Sequence, residues 1–174
     1  MSTAIAIKPV DRLATLLEEL AAKQESLHRV IRGKLEAMRR ADVEGMIAAS
    51  HREGELANEV TLLDAQRREV AAEVCAEIGI PALERNRPAS LRRIAARLGE
   101  AERLRIVKLA DLLRERMLQV AEANRVVELV SREMLAFFKA VFTAIVRDDA
   151  APRVYSACGA MGTPAGARVL DAVG

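Results

Sequence analysis

The sequence predicts an all-α fold: an antiparallel bundle of about three long helices plus one short helix, with coiled-coil-like packing and a flexible C-terminal tail. The first observation behind it is a seam in the last third of the chain. It runs Ile106, Ala110, Leu113, Met117, Val120, Asn124, Val127, Ser131, Met134, Phe138, Val141 and Ile145. Its steps alternate four and three, the 3.5-residue repeat of helices packed lengthwise on other helices. The second is composition. Of 174 residues, 51% are apolar and 30% charged but only 2% aromatic, the balance of long helices rather than of an aromatic-cored globule. The third is punctuation: no proline interrupts the long seam, and Pro81 and Pro88 break the pattern ahead of it. Together these place a helical bundle domain over residues 1–150 and the tail over 151–174.

Taken in order, a first helix starts between Pro9, suited to a first helical position, and Asp11, a candidate cap. Its seam is Leu13, Leu17, Leu20, Gln24, Leu27 and Ile31, closed by Leu35 and Met38. Asp42 caps a second helix from Val43 to about Ala76, with apolar positions Val43, Ile47, Ala57, Val60, Leu63, Val70 and Val74 thinned around Ser50 and Gly54. The short turn at Ala41 and Asp42 implies a helical hairpin. Pro81 and Pro88 bracket a linker, and Ser90 opens a short helix carrying Leu91, Ile94 and Leu98. The long helix follows from about Glu100 to Val146, a rod of roughly 60–70 Å at about 1.5 Å per residue. A rod of that length needs partner helices of similar length. The two polar seam residues, Gln24 and Asn124, are expected to fix register at a cost in stability.

No residue pattern points to catalysis, a cofactor or a metal. His28 and His51 are the only histidines and fall on different helices; His51, Glu53 and Glu55 lack the His-Glu-x-x-His spacing of a helical zinc site. Cys75 has no second cysteine or activating base nearby and reads as a packed thiol. Gly159 to Gly162 lacks the strand before it and the Gly-Lys-Ser/Thr ending of a phosphate loop. With 27 basic and 25 acidic residues, the net charge of +2 gives no argument for a polyanion partner. The Arg85–Arg105 stretch is basic but diluted by Glu84, Glu100 and Glu102, with no aromatic for base stacking. Neither a basic-flanked signal segment nor a membrane span is expected, and two distant cysteines suit the cytoplasm.

One positive feature stands out. Phe137, Phe138, Phe142 and the only tyrosine, Tyr155, all lie in the last quarter of the chain. Leu135, Phe137, Phe142 and Val146 fall off the seam, so this end of the helix is apolar over more than one stripe. It is either covered by further helices or open to a partner.

The layout resembles the FlgN-type flagellar export chaperones from about Leu13 to Gly159: a helical hairpin, a crossover segment, one long final helix and a loose tail. Ala41-Asp42 is similar to the family's Gly-Asp-like turn. Leu62-Leu63-Asp64-Ala65-Gln66-Arg67-Arg68 resembles its Leu-Glu-x-x-Arg stretch, and Ser90-Leu91 its Thr-Leu crossover start. Asn124 with Leu129 is similar to its Asn-x-x-x-x-Leu, and Tyr155 with Gly159 to its Tyr-x-x-x-Gly end, although no acidic or amide residue lies beside Tyr155. The resemblance implies a non-enzymatic cytoplasmic chaperone holding the terminal helical segments of hook–filament junction proteins before type III export, with the export apparatus as a further partner. It implies partner binding by the C-terminal region that holds Val127, Met134, Phe137, Phe138, Val141, Phe142, Ile145 and Tyr155. The alternative is a structural coiled-coil module whose C-terminal patch pairs with itself as a homodimer; nucleic-acid binding through the arginines ranks third.

Overall fold

The computed structural model describes residues 8–80 and 90–149, and its elements are α1 (Pro9–Arg39), α2 (Val43–Glu77), α3 (Leu91–Ala95) and α4 (Glu100–Asp149). The chain divides into two compact units, Met1–Val127 and Glu128–Gly174. The described part of the second is the C-terminal portion of α4.

α1 begins at Pro9, with Lys8 as N-cap and Asp11 in the first turn, where its charge suits the positive end of the helix dipole. The expected seam is buried from Leu13 through Ile31, together with Met38; Leu35 is half-buried. Val10, Ala14, Ala21 and Ala37 are buried as well, so α1 is covered over a wide face. Leu13 and Leu17 are fully buried, worth about 1.5–3 kcal/mol each relative to exposure.

The turn after α1 is a Schellman motif. Asp42 N donates to Ala37 O at 2.9 Å and Ala41 N to Met38 O at 3.1 Å. This geometry puts Ala41 at φ 52°, the left-handed region. The Asp42 side chain then accepts from Gly45 N at 2.8 Å and caps α2. A Cβ at Gly45 would collide with that carboxylate. α2 closes the same way, with Ile80 N donating to Cys75 O at 2.9 Å and Gly79 at φ 67°.

The buried face of α2 differs from the expected one. Val43, Ile47 and Ala57 are exposed, whereas Leu56, Val70, Ala71, Val74 and Cys75 are buried and Val60 and Leu63 half-buried. The inward positions are Met46, Ala49, Glu53, Leu56, Val60, Leu63, Arg67, Val70 and Val74, again alternating three and four. Glu53 and Arg67 occupy that seam because each has a counter-charge: Lys34 Nζ donates to Glu53 at 3.1 Å, and Arg67 Nε to Asp64 at 2.8 Å. A reading that follows apolar residues alone slips by one position there.

Ion pairs fix the directions. Arg12–Glu73 at 2.7 Å, Lys23–Glu59 and Lys34–Glu53 match rising numbers in α1 to falling numbers in α2, as a hairpin requires. Lys8–Glu102 at 3.9 Å, Arg105 with Asp11 at 3.4 Å and Glu18 at 3.1 Å, and Arg116–Glu25 at 3.6 Å match rising numbers to rising numbers, so within the first unit α4 runs with α1. The main core lies where the start of α1, the end of α2, α3 and the start of α4 meet. Leu13, Leu17, Val74, Ile94 and Ile106 pack there.

Within the first unit α4 keeps every second position of its expected seam. Ile106, Leu113, Val120 and Val127 are buried, but the interleaved inward positions are Leu109, Arg116 and Ala123, not Ala110, Met117 and Asn124. Met117 and Asn124 are exposed, so the register role expected of Asn124 does not arise; Gln24 is buried as expected.

Candidate functional site

Within the second unit the described helix is broadly amphipathic. At about 100° per residue, Val130, Met134, Leu135, Phe137, Phe138, Val141, Phe142, Ile145 and Val146 cover roughly half its circumference. Arg132, Glu133 and Lys139 lie on the other half together with exposed Leu129, and Glu128 sits at the boundary. Phe137 is 65%, Phe138 58% and Phe142 69% exposed; Leu135, Val141, Ile145 and Val146 are exposed too, and Met134 is half-buried. The Phe137 and Phe138 rings lie edge to face, 6.0 Å apart at 64°, which holds two aromatic faces in one patch.

The structure thus separates the expected site residues. Val127 is buried in the first unit and unavailable to a partner. Phe137, Phe138, Val141, Phe142 and Ile145 share one open face, and Tyr155 lies outside the described residues. Phe138, Val141 and Ile145, which the seam predicts to be buried, are exposed. Among the described residues of the second unit no other element stands opposite this helix to cover such a stripe. Leu135 and Val146 extend the face.

A second concave feature lies in the first unit, between α2 and α4 over α1. It is an open groove of about 1180 Å³ whose floor includes Leu20 and Gln24. Gln24 is only 8% exposed, and its Oε1 has no hydrogen-bond partner. A buried acceptor without a donor costs about 1–3 kcal/mol. The sequence signal for it was the amide in an apolar seam; the groove itself had none.

The residues that sequence reading weighed for chemistry stand apart from one another among the described residues. His28 is half-buried in a groove of about 510 Å³ with Glu115 and Glu122, whereas exposed His51 lies in a shallow recess with Val43 and Ile47. No group of three or more His, Cys, Asp or Glu side chains could hold a metal ion among the described residues. Burial pushes the Cys75 thiol up, only partly offset by the Arg93 charge, so it stays protonated and unreactive. The basic stretch is largely internally paired: Arg92 with Asp111 at 3.4 Å, Arg103 with Glu100 at 2.7 Å, and Arg105 with Asp11 and Glu18. Arg85 and Arg87 lie outside the described residues. No described helix is long and apolar enough to cross a membrane.

Among comparisons with known proteins, a family model described as FlgN protein matches residues 9–163, nearly the whole chain. No curated protein and no solved structure matches it.

Proposed function

The chain belongs to the FlgN family of flagellar chaperones, and from that premise we propose that it holds hook–filament junction proteins before type III export. The client offers an amphipathic helical end, and the C-terminal part of α4 receives it by helix-to-helix packing in the cytoplasm. One observation carries this reading: the exposed aromatic and aliphatic face of Phe137, Phe138, Val141, Phe142 and Ile145. Three phenylalanines and several aliphatics exposed together on one face form the kind of contiguous apolar patch that marks interaction sites. It suits a partner that arrives and leaves, because edge-to-face rings offer anchors that need no rearrangement. Tyr155 and the tail over 151–174 complete the grip, and handover at the export apparatus releases the client.

Phe142→Asp tests the assignment. Phe142 is largely exposed, so the change should alter stability by under about 0.5 kcal/mol. As a buried anchor in the complex it carries about 2 kcal/mol or more, so affinity for terminal segments of hook–filament junction proteins should fall at least about thirtyfold. Isothermal titration beside a melting curve reads both. Unchanged affinity removes this face from the site, and loss of a dimer band by hydrodynamic mass would assign the face to self-pairing instead.

A further inference from the structure

We propose that the groove between α2 and α4 is a second docking site, for an amphipathic client helix that presents a hydrogen-bond donor from its apolar face and carboxylates along its margins. The inference rests on the client-holding reading above and adds a place and a chemistry to it. The groove belongs wholly to the first unit, whereas the aromatic face belongs to the second.

Three features specify the occupant. Leu20, Val60 and Leu113 line the groove, and Met117, 52% exposed, adds an adaptable thioether at its α4 wall. An apolar face therefore enters first. Gln24 lines the same groove with an unpaired, buried Oε1. Its amide has three side-chain torsions to turn on, and a donor in the middle of the entering face would satisfy it. A purely apolar helix would leave the oxygen as it is, buried and unpaired, and gain nothing from it. The third feature is the rim. Arg67 and Arg68 share the single carboxylate of Asp64, at 2.8 and 2.7 Å, and Arg114 stands on the α4 side. With Glu69 the lining sets three guanidiniums, Arg67 being the largely buried one of the α2 seam, against two carboxylates, so acidic margins on the occupant are favoured. The volume suits a helix. A cylinder about 10 Å wide occupies roughly 120 Å³ per residue, so about 1180 Å³ takes some ten residues, or nearly three turns.

The test uses the full chain with a benzophenone amino acid at exposed Thr61, on the α2 rim, or at Phe142. The probe is a set of purified terminal segments of hook–filament junction proteins. Crosslinking to the probe from both positions is expected. Gln24→Leu should raise the melting temperature yet weaken probe binding roughly five- to tenfold, because the unpaired acceptor and the donor's partner vanish together. Arg114→Glu leaves the core untouched and should weaken binding about threefold, more at low salt. Crosslinking from Phe142 alone, with Gln24→Leu binding as tightly as wild type, overturns the groove assignment and leaves the aromatic-face reading standing. Crosslinking from Thr61 to another copy of the chain overturns it in favour of self-association. Absence of binding and of crosslinks from either position sinks both readings.

Discussion

The two helix ends of the hairpin carry the same backbone motif with different residues, which makes Ala41→Gly a quantitative test of the fold. At Gly79 (φ 67°) a glycine occupies the left-handed position; at Ala41 (φ 52°) an alanine does. For an L-residue that conformation costs about 1–2 kcal/mol, whereas glycine loses about 0.5–1 kcal/mol more backbone entropy on folding. The difference predicts that Ala41→Gly stabilises by about 0.5–1 kcal/mol. The mirror substitution, Gly79→Ala, should destabilise by a similar amount from backbone strain alone, because a Cβ there meets nothing within 4 Å. Urea titration followed by circular dichroism reads both. With a slope of about 2–3 kcal/mol per molar, midpoints should move roughly 0.2–0.5 M, upward for Ala41→Gly and downward for Gly79→Ala. A lower midpoint for Ala41→Gly at unchanged slope would refute the reasoning, since the left-handed strain carried by Ala41 would then be worth less than glycine's extra freedom. The likeness of Ala41-Asp42 to a Gly-Asp turn has its physical content here: the conformation is kept and the residue best suited to it is not.

Two further outcomes follow from titratable groups. Lys23 holds the Glu59 carboxyl below its ordinary value by a hydrogen bond; a folded value below the unfolded one stabilises above the unfolded value and is lost as pH falls through the folded one. Lys23→Met should therefore flatten the acid limb of a melting-temperature profile, and an unchanged limb would mean that the α1–α2 pair is fully screened. In a Cys158→Ser background, Cys75 should react with a thiol reagent only at the rate of unfolding, because burial keeps it protonated and covered; prompt reaction in the native protein would contradict its place in the core.

Local chemistry makes much of this protein legible without a structure. Pro9 starts α1, Asp42 caps α2, and Ser90 precedes α3, because start and stop signals act through neighbours a few residues away. The 3.5-residue repeat is local as well, which is why α1 and its buried face match expectation from Leu13 to Ile31. What the repeat leaves open is a choice between adjacent residues at every second step. Leu109 over Ala110, Arg116 over Met117 and Ala123 over Asn124 are choices made by the surface of a partner helix, and no local signal carries them. In α2 the same partner surface reverses apparent hydrophobicity: Glu53 turns inward because Lys34, nineteen residues away, meets it, while Val43 and Ile47 stay exposed. Likewise, a stripe through Phe138 and Ile145 is visible in sequence, but whether it is covered depends on what stands opposite. Burial belongs to two surfaces, and the sequence of one helix describes only the first.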